Sequence, residues 1–357
     1  MLYQTQNPHG GDVYQGEIIL DYSANTNPFG TPQGVLDAIR EVLPKVHQYP
    51  DPYCRKLVQA VSEFEAVPKE FILCGSGAAE LIYSYCEAVS PKRAVELAPT
   101  FSEYSLALER VGCHVERFFL RRENNFDVDE TFLDYLAKQK PEAVFLCNPN
   151  NPTGRVISPS LLEQILYFCR ERNIRLFVDE CFLDLADGGA SLKSYLTDYP
   201  QLLLLKAFTK SYGMAGMRLG YCLCSDYQLL AKMAKGVQPW NVSLLAQAAG
   251  VAALQEREFL ERTRQLIPIE RQWLKEQLEA LGFWVCPSHA NYLLFFGREG
   301  LHAALRQHGI AIRNCENFHG LTSGWYRIAV RLRGENERLI AAIKLACGKE
   351  QSWRKIL

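Results

Sequence analysis

Several polar residues of this 357-residue chain stand directly after short apolar runs. Gly77–Ala78 ends the turn GSGA and begins a helix-like stretch, where free backbone N–H groups attract phosphate. Asn151 lies within NPNNPTG, and Asp179 ends the run RLFVD, where a buried carboxylate needs a cationic partner. Lys210 comes five residues after the run LLLL, in the stretch LLLLKAFTK, and precedes Arg218 by eight residues. Taken singly, each feature is as typical of a turn or a solvated strand end as of a functional site.

Taken together, these residues supply the groups that the cofactor pyridoxal 5′-phosphate (PLP) requires. A lysine amine condenses with the aldehyde of PLP, and an anion keeps its ring nitrogen protonated. A donor must face the phenolate oxygen of the ring, and the phosphate needs a cradle with a cation. Lys210, Asp179, Asn151, the Gly77–Ala78 turn and Arg218 supply these groups in turn. The sequence therefore predicts PLP as the cofactor, and it offers no Cys or His spacing typical of a metal site.

The elements that must position these residues alternate along the middle of the chain. Runs of four to six apolar residues that end in Gly, Asn or Pro indicate buried strands, and the longer amphipathic stretches between them indicate helices. This alternation predicts an α/β fold with a mainly parallel sheet covered by helices on both faces. In such a sheet, ligands bind beyond the carboxyl ends of the strands, which is where the polar features fall.

The pattern of charged and apolar residues changes after about Trp240. A highly charged stretch from Leu244 to Ala280 looks helical, with an interruption at Pro268. NYLLFF and YRIAVR then read as strands, and a helix is expected from about Glu335. We predict a large PLP-binding domain over residues 48–243. Residues 1–47 and 244–357 are expected to form an N-terminal arm and a smaller α+β domain.

Composition limits the classes of protein to which the chain can belong. The formal net charge is −1, so no overall field favours nucleic acid or an anionic membrane surface. The twelve cysteines lie scattered in apolar runs, which is typical of small buried side chains kept reduced. The first residues lack the pattern of a signal peptide, and no apolar run approaches the roughly 20 residues of a membrane span. We expect a cytoplasmic protein with no nucleic-acid or membrane partner.

The order of the motifs resembles the fold-type I PLP-dependent aminotransferases. NPNNPTG is followed by VDE and then by Thr-Lys, with an arginine eight residues after the lysine. The resemblance covers nearly the whole chain. It is closest to the branch that contains histidinol-phosphate aminotransferase and threonine-phosphate decarboxylase. It implies the aspartate aminotransferase-like fold and a homodimer.

The resemblance also implies roles for individual residues at the cofactor. Lys210 would carry PLP as a Schiff base and shuttle protons, Asp179 would pair with the ring nitrogen, and Asn151 would face the ring oxygen and the substrate. The phosphate would be held by a set of neighbouring groups, namely Thr209, Arg218, Gly77 and Ala78.

Aromatic side chains are implied at two further places. Tyr49, in HQYPDPYC, matches a tyrosine that reaches the cofactor phosphate of the neighbouring subunit. An aromatic residue of PTFSEY should stack on the cofactor ring, and we expect Tyr104 in preference to Phe101. In YRIAVR, Arg327 matches an arginine that binds the α-carboxylate of the substrate as a bidentate fork.

Three features resemble the decarboxylase more than the aminotransferases of this branch. They are the opening HGGD, the stretch LDYSANTNPFG, and Phe182, where the histidinol-phosphate aminotransferases usually have tyrosine. By the same resemblance, the substrate would touch His9, Gly10 and Asn25, and Arg313 would help to hold its phosphate. His9 in a terminal segment and Arg313 at a strand end are also typical of residues without such a role.

Two positions depart from the family pattern near the cofactor phosphate. Ala207 stands where a hydroxyl residue is usual, and Ser76 replaces an asparagine often seen in the glycine turn. A phosphate contact is therefore either missing or supplied by another residue, for which Lys206 is a candidate.

The resemblance implies decarboxylation of an O-phosphorylated amino acid. The expected reaction converts L-threonine O-3-phosphate to (R)-1-aminopropan-2-yl phosphate for cobalamin biosynthesis. Serine phosphate differs from that substrate by one methyl group and stays an alternative. A histidinol-phosphate or aromatic amino acid aminotransferase is the main rival, and it would require a keto acid. A non-enzymatic PLP-binding regulatory protein is the rival of another class, although no DNA-binding segment accompanies the fold.

Overall fold

The part of the chain that the structure describes folds around one large sheet and two smaller ones. The computed structural model describes residues 9–14 and 16–348. The strands are β1 Leu20–Asp21, β2 Ile72–Gly75, β3 Arg93–Ala98, β4 His114–Phe119, β5 Ala143–Cys147, β6 Arg175–Asp179, β7 Leu202–Ala207, β8 Gly220–Leu223, β9 Trp284–Val285, β10 Tyr292–Phe296, β11 Ile310–Ala311, β12 Arg313–Asn314 and β13 Trp325–Ala329. The α-helices are α1 Gln33–Val42, α2 Arg55–Glu65, α3 Ala78–Val89, α4 Glu103–Arg110, α5 Thr131–Gln139, α6 Pro159–Glu171, α7 Phe208–Ser211, α8 Tyr227–Gly236, α9 Leu244–Ala253, α10 Arg257–Ala280, α11 Leu301–Arg306 and α12 Arg333–Ala346.

The large sheet has seven strands in the order β2-β8-β7-β6-β5-β3-β4. Strand β8 runs antiparallel to both of its neighbours, and the remaining pairs are parallel. Helices cover both faces, so strands such as β5 are buried along their full length. The mainly parallel α/β architecture that the alternating runs predict is confirmed.

Alternation along the strands divides the core of this sheet into two apolar layers. In β7, Leu202 and Leu204 belong to one layer, while Leu203, Leu205 and Ala207 belong to the other. Successive residues of a strand point to opposite faces, so the two layers lie on the two sides of the sheet.

The second apolar centre lies in the C-terminal part of the chain. A four-stranded antiparallel sheet has the order β12-β13-β10-β9 and packs with α10, α11 and α12. Strand β1 pairs in parallel with β11, which joins the N-terminal segment to this part of the chain. The division at residues 48 and 243 stays a prediction.

The predicted interruption of the helix at Pro268 is wrong. Helix α10 runs through Pro268, and the chain between α9 and α10 breaks instead at residues 254–256. Proline has no N–H, so the bond to the carbonyl of Arg264 is lost at a cost of about 3 kcal/mol. Burial of Leu260, Ile267 and Leu274 on one side of α10 holds the helix continuous across that position.

The described residues include no helix that has both the length and the apolar content of a membrane span. The twelve cysteines are all free thiols, and eleven of them are buried.

Candidate active site

The polar residues that follow the parallel strands converge on one cavity of about 470 Å³. It opens at the carboxyl ends of β5, β6 and β7, where parallel strands present their ends at the same edge of the sheet. Ten of the residues predicted from the sequence line it, namely His9, Gly10, Ala78, Asn151, Asp179, Thr209, Lys210, Arg218, Arg313 and Arg327. The geometry thus brings together residues that are up to 318 positions apart in the chain (from 9 to 327).

Lys210 lies in the short helix α7, directly after the buried strand β7. Its ammonium nitrogen lies 5.5 Å from the centre of the Phe182 ring. Burial, together with the positive charges of Arg327 and Arg218, lowers the pKa of the Lys210 amine to about 8. A much larger fraction of this amine is therefore neutral near physiological pH than in a solvent-exposed lysine, and the neutral form is the one a nucleophilic lysine requires.

Asp179 ends strand β6 and is held through both of its carboxylate oxygens. The Tyr104 hydroxyl donates to Oδ2 at 2.6 Å, and the backbone N–H of Cys181 donates to Oδ1 at 2.9 Å. Burial raises the pKa of Asp179, while these hydrogen bonds and the Lys210 charge act to lower it. The carboxylate is thus fixed in position and faces the cavity without a salt bridge among the described residues.

The expected stacking role of Tyr104 needs correction. Tyr104 is fully buried within the apolar layer behind Asp179, whereas Phe101 lines the cavity. The two residues lie on either side of the start of α4, and their rings meet edge to face at 5.6 Å. Phe101 is therefore the aromatic residue of PTFSEY that is available to a ligand.

A turn before helix α3 forms a cradle for an anion. Gly77 has φ +85°, and a Cβ atom there would lie 2.6 Å from Nη2 of Arg218. Only glycine allows the guanidinium to lie this close to the backbone at the start of the helix. The first N–H groups of α3 have no acceptor within the helix, so phosphate can bind between them and Arg218.

Lys206 cannot supply the missing phosphate contact, because it points to the opposite face of the sheet from Ala207. Its ammonium group lies 3.3 Å from Glu65, 3.7 Å from Glu180 and 3.3 Å from Asp184. Burial acts to lower the pKa of Lys206, but the three carboxylates raise it above its usual value. Lys206 therefore neutralises a buried acidic cluster on the face that does not carry the cavity.

Arg313 and Arg327 are direct cross-strand partners on β12 and β13. Opposite residues of an antiparallel pair point to the same face, and like charges in that arrangement repel. Arg327 is buried, and it donates to Oδ1 of Asn151 and, at 2.7 Å, to the carbonyl oxygen of Ser23. Burial lowers the pKa of Arg313 to about 10, and the positive charge of Arg327 contributes to this shift.

Three other predicted residues lie outside the cavity wall. Gly77 lies beneath Arg218, as described above. Asn25 is buried, and neither polar atom of its side chain has a hydrogen-bond partner within the described residues. Tyr49 is 79% exposed and stacks on Trp240 at 4.5 Å between ring centres. The roles of these residues, and of those that line the cavity, stay predictions.

Several residues that the fold brings to the cavity have no role predicted from the sequence. Glu103, Cys181 and Phe318 line it, and the carbonyl of Ser23 holds Arg327. Glu103 lies in the same PTFSEY segment as the two candidate aromatic residues, so its acidic side chain was a signal that could have been followed. Phe318 lies in a loop without a motif and could not have been found.

Comparison with known proteins agrees with this geometry. Residues 17–343 match the family model for aminotransferase class I and II. The chain is 35% identical to threonine-phosphate decarboxylase of Salmonella typhimurium, over 94% of this chain and 95% of that protein. It is 28% identical to histidinol-phosphate aminotransferase of Methanococcus aeolicus, over 91% and 89%. The crystal structure of histidinol-phosphate aminotransferase from Clostridium acetobutylicum superimposes with a TM-score of 0.85 at 28% identity, over 92% of this chain and all of that one.

Proposed function

Because the chain belongs to the class I and II aminotransferase family, we propose that it is a PLP-dependent decarboxylase of an O-phosphorylated amino acid. The first candidate substrate is L-threonine O-3-phosphate, which would yield CO₂ and (R)-1-aminopropan-2-yl phosphate. That product suits the cobalamin biosynthetic route expected from the sequence. The similarity to the decarboxylase of Salmonella typhimurium supports the choice.

The residues around the cavity fit PLP. Lys210 would hold the cofactor covalently, because its buried amine has a pKa near 8. Asp179 would keep a proton on the ring nitrogen, and the N-terminus of α3 with Arg218 would bind the phosphate. Phe101, rather than Tyr104, would stack on the ring. Bound PLP supplies an electron-poor ring that can accept the electron pair of a bond broken at Cα.

The observation that carries the substrate class is the cross-strand pair of Arg313 and Arg327. Two opposed guanidinium groups repel each other in the free protein, and an anionic ligand with two charged ends relieves that repulsion. Arg327 is also buried without a carboxylate partner among the described residues. An α-carboxylate at Arg327 and a distal phosphate at Arg313 would place a negative charge against each guanidinium group.

Binding at both ends would select the bond that breaks. The bond at Cα that stands perpendicular to the cofactor ring is the one weakened, so decarboxylation requires the carboxylate to take that position. Arg313 and Arg327 hold the two ends and thereby fix the rotation about Cα, which uses binding energy remote from the reacting carbon. Lys210 lies in the same cavity and can deliver a proton to Cα afterwards. Phe182 also lines the cavity and, unlike a tyrosine at that position, brings no hydroxyl group to it.

A product assay tests the proposal. The PLP-loaded protein is incubated with threonine phosphate, serine phosphate and histidinol phosphate, each with and without 2-oxoglutarate. Release of CO₂ from threonine phosphate at catalytic rates without any keto acid is the expected result. Faster release from serine phosphate would move the assignment to that substrate, since one methyl group is worth only about 1–3 kcal/mol.

Two other outcomes would overturn decarboxylation. Turnover that occurs only with 2-oxoglutarate would assign transamination, which the similarity to the histidinol-phosphate aminotransferases also supports. Absence of any turnover by PLP-loaded protein would favour a regulatory, PLP-binding role.

A cytoplasmic homodimer is part of the same proposal. Tyr49 and Tyr53 are 79% and 69% exposed, and Tyr49 stacks on the half-exposed Trp240. Exposed aromatic clusters of this kind are typical of protein interfaces. Sedimentation of the wild-type protein and of Tyr49→Ala measures the association, and we expect a dimer that the substitution weakens.

A further inference from the structure

The backbone of residues 9–12 forms hydrogen bonds with two side chains elsewhere in the fold. These are Ser23, shortly after β1, and Arg306, at the end of α11. The N–H of Gly11 donates to Oγ of Ser23 at 2.8 Å. The guanidinium of Arg306 donates to the carbonyl of Asp12 at 3.2 Å. A Cβ atom at Gly10 would lie 2.2 Å from the carbonyl oxygen of Ser23, so the segment packs against Ser23 backbone to backbone.

The side chain of His9 reaches from this segment to helix α4. Its Nε2 atom lies 2.7 Å from Oε1 of Glu103, the first residue of α4 beside the large sheet. The imidazole ring also lies 5.6 Å from the ring centre of Phe101. The contact therefore links the N-terminal segment to α4 at the wall of the cavity, which His9 and Glu103 both line.

A second hydrogen bond holds the side chain of Glu103. The hydroxyl of Tyr83, on helix α3, donates to its other oxygen, Oε2, at 3.0 Å. The hydrogen bond with His9 lowers the pKa of Glu103, whereas burial acts to raise it. The hydrogen bond from Tyr83 also lowers it, and the net shift of the pKa is downward. Glu103 is consequently ionised at neutral pH, and its Oε1 atom contacts His9.

A lone carboxylate on this wall would oppose an anionic ligand. The other charged groups of the cavity include Arg218, Arg313 and Arg327, which favour phosphate and carboxylate. Both oxygens of Glu103 are engaged in hydrogen bonds, one with Nε2 of His9 and one from the Tyr83 hydroxyl, so neither oxygen is left to face that ligand. Because a carboxylate oxygen only accepts, Nε2 of His9 is the donor, and this bond fixes the orientation of the ring.

We propose that Glu103 is a positioning residue that holds His9 at the cavity wall so that its imidazole faces the phosphate of the substrate. It thereby raises the preference of the site for phosphorylated over unphosphorylated amino acids. The inference rests on the proposed function and assigns to Glu103 a part of its substrate selectivity.

The test compares Glu103→Gln with Glu109→Gln, a matched substitution on the same helix. Glu109 lies outside the cavity, and its side chain is 57% exposed. Binding of O-phospho-L-threonine and of L-threonine is measured by calorimetry on borohydride-reduced holoenzyme, which cannot turn over. Glu103→Gln should weaken binding of the phosphorylated ligand about 10-fold, as expected for a hydrogen bond with a charged group, and leave L-threonine within about two-fold. Glu109→Gln should change neither.

A double-mutant cycle with His9→Ala separates positioning from a merely structural role. In the His9→Ala background, Glu103→Gln should cost less than about two-fold, because the partner through which it acts is gone. Additive losses in the cycle, equal weakening of both ligands, or unchanged binding by Glu103→Gln would each overturn the inference. If the wild-type protein binds threonine phosphate but releases no CO₂, the proposed reaction fails while this binding test still decides the role of Glu103.

Discussion

Tyr104→Phe removes a single hydroxyl group from behind the carboxylate of Asp179. The hydrogen bond is short, 2.6 Å, and both residues are buried, so water does not replace it. A hydrogen bond to a charged group contributes about 1.5–3 kcal/mol. Since one pKa unit corresponds to about 1.4 kcal/mol, losing it should raise the pKa of Asp179 by about 1–2 units.

The consequence for activity follows from the direction of that shift. The hydroxyl stabilises the charged form of Asp179, so its removal makes the carboxylate more basic. A more basic carboxylate competes more strongly for the proton on the ring nitrogen of bound PLP. We expect the affinity of the apoprotein for PLP and the rate of CO₂ release to fall by about 10- to 100-fold at most. The acid limb of the rate profile should move to higher pH.

Tyr85→Phe is the matched control. Tyr85 is fully buried in the same apolar layer, and its ring lies 4.9 Å from that of Phe177. Its hydroxyl has no hydrogen-bond partner among the described residues, so its removal should change neither PLP affinity nor rate. PLP affinity is measured by titration of apoprotein and the rate by CO₂ release. Wild-type behaviour of Tyr104→Phe, or an equal loss in Tyr85→Phe, would refute the role assigned to the Tyr104 hydroxyl.

Three further predictions concern other parts of the site. Covalent capture of PLP by apoprotein, followed by absorbance, should accelerate as pH rises and level off above about 8, because only the neutral Lys210 amine reacts; a rate independent of pH would contradict the lowered pKa. Lys206→Met should lower the free energy of unfolding by about 3 kcal/mol in urea titrations, because the buried Glu65 and Glu180 and the partly buried Asp184 lose their shared cation, and Lys193 stays near Glu65 alone. Gly10→Ala should weaken substrate binding because its Cβ atom would collide with the carbonyl of Ser23, whereas Gly334→Ala, with open space around it, should not; equal affinities would remove the packing argument.

The sequence predicted the parts of the site that depend on strand order. Asp179 ends a parallel strand, and Asn151 and Lys210 each follow one, and the carboxyl ends of parallel strands meet at one edge whatever the details of packing. The alternation of apolar runs and amphipathic stretches predicted the sheet itself. Residues 1–8, at the start of the N-terminal arm, lie outside the described part of the chain.

The sequence could not show in which direction individual side chains point. Phe101 and Tyr104 lie three residues apart at the start of α4, and the segment is too short to reveal which of them faces the core. Lys206 and Ala207 are neighbours on β7, and a shift of one residue exchanges the two faces of a strand. Pro268 stayed inside a helix because tertiary burial outweighed a local preference, which local sequence does not show.

The covalent attachment of the cofactor at Lys210 is the most direct point to test. Borohydride reduction of PLP-loaded protein, followed by protease digestion and mass spectrometry, locates the lysine that carries the cofactor. We expect a reduced cofactor adduct on the peptide that contains Lys210, and its loss in Lys210→Ala. An adduct on another lysine, such as Lys206, or no adduct in protein that has bound PLP, would contradict it.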